Sequence, residues 1–131
     1  MDIIVDKNLI NVADVMEIFS QAEWTKNRTT EDVQKMKSNS DFMVLIKQDN
    51  SPIGFARVIT DYTYRAFIED VIVLPVYQFC GIGKLMIHQI ENLLKEYNIP
   101  RIELSTNKTQ FWEKVGYTPK ESTTHMIKRL N

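Results

Sequence analysis

The stretch Val73-Leu74-Pro75-Val76-Tyr77-Gln78-Phe79-Cys80-Gly81-Ile82-Gly83-Lys84-Leu85 brings two glycines, a lysine and a helix start together behind an apolar strand. A strand that feeds a helix through such a turn leaves backbone N–H groups without partners, and the helix dipole adds partial positive charge there. The chemistry this suits is anion binding, phosphate above all. Gly81 and Gly83 let an anion approach the main chain closely, and Lys84 adds a full charge. A tight turn needs the same two glycines for steric reasons alone, so the spacing by itself leaves both readings open. A dinucleotide-binding fingerprint requires a third glycine where Met86 stands, and a P-loop requires Ser or Thr where Leu85 stands. Both are excluded.

The elements that must position this turn follow from periodicity. Val12, Val15, Met16, Phe19 and Ala22 recur at helical spacing over 12–23, with Asn11 placed to cap. Thr30, Glu31 and Asp32 followed by Val33 and Met36 predict a second short helix. Phe42 to Lys47 and Ile53 to Thr60 are β-branched and apolar runs separated by Asp49-Asn50-Ser51-Pro52, which predicts a hairpin. Ala66 to Leu74 is a third strand, nearly continuous in apolar residues after Asp70 and so expected at the sheet centre. Gly83 to Tyr97 is the longest helix, Arg101 to Ser105 a strand, Thr109 to Val115 a helical turn or two, and Thr123 to Arg129 a last strand.

The chain has 131 residues, the size of one domain over 1–131, and 44% hydrophobic with 25% charged residues is ordinary for a globular protein. A net charge of -1 favours neither nucleic acid nor an anionic membrane as partner. The opening Met1-Asp2-Ile3-Ile4-Val5-Asp6 lacks a secretory signal and no run reaches spanning length, so a cytoplasmic location is expected. One cysteine and two histidines leave no set for a metal.

The pattern Gln78-Phe79-Cys80-Gly81-Ile82-Gly83, preceded by Val73-Leu74-Pro75 and followed by Lys84-Leu85-Met86, resembles the acetyl-CoA signature of the GNAT N-acetyltransferase superfamily. Phe111-Trp112-Glu113-Lys114-Val115-Gly116-Tyr117 is similar to a second motif of that family, and Ile53-Gly54-Phe55 to its third-strand hairpin. The resemblance covers nearly the whole chain. It implies a mixed α+β fold, a mostly antiparallel twisted sheet of about 6–7 strands flanked by about four helices. It also implies an N-acetyltransferase that moves the acetyl group of acetyl-CoA to a primary amine of a small molecule or peptide by direct attack in a ternary complex. The alternative is a non-catalytic acyl-CoA-binding or sensing module of the same fold. A homodimer is among the assemblies open to it.

The resemblance further assigns roles. Val71, Ile72 and Val73 would bond the pantetheine arm through their backbone, and Gln78, Phe79, Cys80, Gly81, Ile82, Gly83 and Lys84 would hold the pyrophosphate of coenzyme A. Asn107, Phe111 and Trp112 resemble positions that flank the same arm, although Asn107 is equally placed to cap the helix near residue 109. An alkyl ammonium with a reference pKa of about 10.4 must lose a proton before attack, and Glu69, on the strand before the turn, is the candidate base. Two-residue parity puts it on the face of Val71 and Val73. Its alternative is a strand-end carboxylate paired with Arg57 or Arg65. Many relatives carry Tyr where Trp112 stands and use its hydroxyl to protonate the departing thiolate; water or Tyr117 is left for that role here. Cys80 stands where Arg or a polar residue is common, which removes a charge from the pyrophosphate site. Trp24, Tyr62 and Tyr64 lie in segments that border the implied acceptor pocket, with burial beside the hairpin as their alternative. Asp61 in the hairpin loop or Asp70, on the face opposite Glu69, would draw a cationic amine.

Overall fold

The computed structural model describes residues 1–131. Five strands form one sheet in the order β1 (Asp2–Ile4), β2 (Phe42–Gln48), β3 (Ser51–Thr60), β4 (Ala66–Val73), β5 (Ile102–Glu103). Every neighbour pair is antiparallel except β4 with β5, which is parallel and joined by registered pairs only at Ala66–Ile102 and Phe67–Glu103. Four helices cover the sheet: α1 (Val12–Phe19), α2 (Thr30–Asn39), α3 (Ile82–Glu96) and α4 (Thr109–Lys114). This is the mixed α+β architecture expected, with fewer strands.

Two apolar layers sandwich the sheet. On one side Phe19, Ile18 and Val15 of α1 and Val33 of α2 pack on Met43, Leu45, Phe55 and Ile72, with Phe19 and Phe55 meeting edge to face at 5.5 Å. On the other, Ile82, Met86, Ile87, Ile90 and Leu94 of α3 pack with Trp112 of α4 on Val44, Ile46, Ala56, Val58 and Ile68. Gly54 sits under α3; a Cβ there would meet Ile82 at 3.1 Å and the Met86 sulfur at 3.2 Å, so glycine lets the helix seat directly on β3.

Local chemistry accounts for most boundaries. Asn11 caps α1 by accepting from the Ala13 N–H at 2.7 Å, as expected. The helix stops at Phe19, short of residue 23, because the buried Thr25 hydroxyl takes the Phe19 carbonyl at 2.7 Å. Thr29, one residue before the expected start, caps α2. Asp49 and Asn50 both have positive φ, 49° and 67°, the two-residue hairpin turn that matches strand twist. Ser51 and Pro52 lie inside β3, with a register shift at Ile46/Lys47 that accommodates the proline.

Three strand expectations need correction. Thr123–Arg129 forms no strand; its residues are exposed and make no backbone ladder. Arg101–Ser105 contracts to Ile102–Glu103. Asp2–Ile4, unpredicted, pairs with β2 along Leu45–Lys47. The middle strand is β3 rather than β4, whose outer edge has no strand partner beyond Phe67. That open edge shapes the candidate site.

Candidate functional site

Beyond β4, Pro75 opens a single 3₁₀ turn, Pro75–Tyr77, and the chain then reverses into α3. Phe79 and Gly81 both adopt positive φ, 64° and 84°, and Gly81 is the N-cap residue of α3. Glycine takes that conformation without strain, and its Cβ position is open space. The outcome is a run of orphan donors: the backbone N–H groups of Phe79, Cys80, Gly81, Ile82, Gly83 and Lys84 donate to no other group in the protein. Lys84 is exposed and unpaired beside them. Consecutive unpaired amides at the positive end of a fifteen-residue helix form an anion cradle.

Gly83 has a different reason from the one the spacing suggested. A Cβ there would stand 3.0 Å from the Phe111 ring, so this glycine admits α4 against α3. Phe111 in turn meets Trp112 edge to face at 5.1 Å, and Trp112 meets Tyr117 likewise at 5.1 Å. Trp112 is only 7% exposed and belongs to the core under α3. Asn107 is exposed and does not cap α4; Lys108 holds the cap position, without a side-chain bond.

The open edge of β4 leads to this cradle. The Leu74 N–H points to β3, at 2.9 Å from the Ile53 carbonyl oxygen. Strand amides alternate, so those of Val73 and Val71 point to the uncovered side. The Val73 carbonyl on that side accepts from the Gln78 side-chain amide at 2.9 Å. Val71 and Val73 are half-buried against the α3 layer.

A bulge interrupts β4 just before Val71. Gly54 and Phe55 pair with Val73 and Ile72, but Arg57 pairs with Glu69, and Asp70 takes φ 53°. Two-residue parity therefore fails: Ile68 and Val71 both face α3, while Glu69, opposite Arg57, lies on the α1/α2 face. This corrects the expectation that Glu69 shares a face with Val71 and Val73. Glu69 is half-buried and pairs with neither suggested arginine, since Arg57 binds Asp70 and Arg65 binds Glu103 at 3.2 Å.

Asp70 is held instead. Arg28 grips it with two bonds of 2.7 and 3.1 Å, and the Arg57 Nε adds a third at 2.7 Å. Its side chain is 3% exposed, against 31% for Arg28 and 15% for Arg57. Burial pushes its pKa up, but the two guanidiniums outweigh burial and hold the carboxyl below its ordinary value. Asp70 is thus neutralised and does not offer a free charge to a cation. The Arg28 guanidinium also lies 4.8 Å over the Phe19 ring, which fixes the loop between α1 and α2. Trp24, in that loop, is exposed.

The structure does not bring Asp61 to the same place. It sits in the hairpin before β4, the full strand away from the cradle, and its Oδ1 accepts the N–H groups of Thr63, Tyr64 and Arg65 at 2.9, 2.8 and 3.2 Å. Those bonds lower its pKa and mark it as a turn former. Tyr117 donates to Glu91 on α3 at 3.0 Å; burial first, then the Glu91 charge, raises its pKa. Its proton is committed there. Sequence reasoning gave Arg28 no role and Arg57 only as a partner for Glu69: neither spacing nor residue type signals that the two converge across 29 positions on Asp70.

The comparisons with known proteins agree on the architecture. The model of the acetyltransferase (GNAT) family matches residues 12–117. An uncharacterized N-acetyltransferase, ycf52, of Pyropia yezoensis is 31% identical over 113 residues, 82% of this chain and 65% of that protein. The chain thus spans less than two thirds of that relative's length. A GNAT-family acetyltransferase of Streptococcus pneumoniae superposes with a TM-score of 0.82 at 24% identity, covering 98% of this chain and 96% of that one. An aminoglycoside N-acetyltransferase solved in complex with CoA gives 0.81 at 16% identity, covering 98% and 94%. At such identities the structural matches speak for the fold.

Proposed function

The chain belongs to the acetyltransferase (GNAT) family, and from that premise we propose that it transfers the acetyl group of acetyl-CoA to a primary amine by direct attack in a ternary complex. The observation that carries the reading is the run of unpaired amides from Phe79 to Lys84 at the mouth of α3. A diphosphate satisfies such a run, and nothing in the protein competes for it. The residues fit coenzyme A in a second respect: the free edge amides of Val71 and Val73 lead away from the cradle, and an amide-bearing pantetheine arm adds to that edge as a short strand does. Gln78 must release the Val73 carbonyl for that addition. When bound, the coenzyme supplies an activated acyl thioester.

The chain's own residues then divide the work. With the arm along that edge, the Val71 or Val73 N–H would stabilise the charge that a thioester oxygen gains. Glu69, beside the bulge and free of any ion pair, takes the proton of the acceptor ammonium, so that a neutral amine forms the new C–N bond as the C–S bond breaks. The thiolate leaves with a reference pKa of about 8.5 and takes its proton from water, because Tyr117 is bonded to Glu91 and Trp112 is buried. That last pair of facts favours one competing reading, a module that binds acyl-CoA without turnover.

Both readings predict that acetyl-CoA raises the melting temperature. Only the enzyme releases thiol faster than background in the presence of a panel of amino acids, polyamines, aminoglycosides and peptides. Glu69→Gln should lower kcat/KM by about 10²-fold or more while leaving the coenzyme-induced shift intact. A melting shift without acceptor-dependent thiol release would discard the enzyme in favour of the module, and no shift at all would discard both.

A further inference from the structure

On the α1/α2 side of the bulge a cavity of about 230 Å³ opens, lined by Arg28, Asp32, Val33, Met36 and Arg57. Two guanidiniums reach into this region and share one carboxylate, Asp70, which leaves one net positive charge among three largely buried groups. Each guanidinium carries five N–H donors in a fixed fork. Arg28 spends two of them on Asp70; Arg57 spends one there and another, at 3.5 Å, on the Ser40 hydroxyl. Most of the donors therefore remain without a protein acceptor beside the cavity. Asp32 lines it too and forms no ion pair with either arginine, so with Glu69 it offsets that charge, and the unspent fork donors rather than a net field are what an anion would meet; Val33 and Met36 supply apolar wall. Glu69 stands in register with Arg57 and is not ion-paired with it.

We propose that this cavity is the anion subsite of the acceptor pocket, so that the acceptor is an amine bearing a carboxylate or phosphate that Arg28 and Arg57 hold near Glu69. Fork-shaped donors bind such oxygens in pairs, and partial burial strengthens the bonds. The inference rests on the acetyltransferase reading and reverses the sign that Asp61 and Asp70 suggested from sequence. Asp61 is a turn former at the far end of β4, and Asp70 is consumed by the arginines, so a polycation finds no free carboxylate there except Asp32 and the base itself.

The test compares acceptors that differ only in the anionic group: β-alanine with β-alaninamide, and phosphoethanolamine with ethanolamine, with spermidine as the polycation. Wild type, Arg28→Gln and Arg28→Lys are assayed for kcat/KM with acetyl-CoA, and the coenzyme-induced melting shift reports that each variant is folded with its cradle intact. The wild type should favour the anionic member of each pair. That preference should fall about tenfold or more in Arg28→Gln and recover in part in Arg28→Lys. Dividing the variant's ratio by the wild type's cancels the different basicities of the paired amines. Should Arg28→Gln fail to fold, Arg28→Lys carries the comparison, since a single ammonium cannot reproduce the fork and the preference still drops. Turnover in which spermidine or the neutral amines win, or in which Arg28→Gln keeps the full preference, overturns the subsite alone. No turnover with any acceptor, at a retained coenzyme shift, overturns the enzyme reading and the subsite with it.

Discussion

The turn from Gln78 to Lys84 lies beyond the end of β4 and the bulge at Glu69–Asp70 in the middle of the same strand, yet they are built by opposite means. In the turn the side chains of Phe79, Cys80 and Lys84 are exposed and the groups proposed to hold the coenzyme are main-chain amides, kept free by two positive-φ residues and a helix start. At the bulge the proposed base is a side chain, Glu69, next to a buried carboxylate gripped by two arginines from distant segments. A backbone-made site tolerates many sequences provided that a few torsions are kept. A site made by side-chain charge tolerates almost none, because a buried ion that loses its partner is costly.

The sharpest way to separate the two is to remove the carboxylate. Asp70→Ala leaves Arg28 and Arg57 facing each other without a counter-charge. Ala also tolerates φ 53° less well than Asp, and the change should cost about 3 kcal/mol, the lower end of the range for a broken buried pair because Arg28 is 31% exposed. Chemical denaturation reads this directly. The Asp70 pKa is depressed in the folded state, so its contribution is complete above the unfolded value near pH 4 and is lost as pH falls through the lower folded value. The variant's acid limb should therefore be flatter than the wild type's. An unchanged midpoint would mean that the bulge holds without its ionic clamp.

The turn should respond in binding more than in stability. Gly81→Val places a β-branched residue at φ 84°, a strain of about 1–3 kcal/mol that the exposed turn can relieve only by rotating its amides away from a common focus. Coenzyme A affinity should fall about tenfold or more by calorimetry, with a smaller loss in melting temperature. Undiminished affinity would show that the amides do not act together.

How legible each region was in the sequence follows from the same contrast. The cradle is local: a strand, Pro75, Gly81 and a helix lie within one short segment, so residue types and spacing locate it. The helices α1, α2 and α3 were equally legible because caps and apolar periodicity are local signals. The bulge was not, since it arises from a register mismatch between β3 and β4, and a one-residue slip inverts parity beyond it. Strand parity alone therefore puts Glu69 on the wrong face and leaves Asp70 a free charge. Trp112 and Tyr117 matched a motif, yet their contacts depend on how α4 meets α3, which Gly83 decides from another element. The tail at Thr123–Arg129 alternates like a strand but finds no ladder, whereas Asp2–Ile4 is too short to show a period and pairs all the same.

Tyr117→Phe makes the smallest change and tests whether the motif or the geometry assigns the role. The phenol donates to Glu91 from a half-buried position, so its removal should cost about 1 kcal/mol, the net worth of one such hydrogen bond. Because its folded pKa is raised, the tyrosine contributes fully below its unfolded value near pH 10 and loses that contribution as pH rises through the folded value. Wild type and variant should converge in stability only at strongly alkaline pH. Turnover at pH 7 should stay within about twofold of wild type, since a proton donated to Glu91 is not free for a departing thiolate and a thiol leaving group needs little help. A drop of about 10²-fold in kcat at unchanged coenzyme affinity would instead mean that Tyr117 leaves Glu91 when the thioester is bound, and the acid that the motif implies would be restored to it.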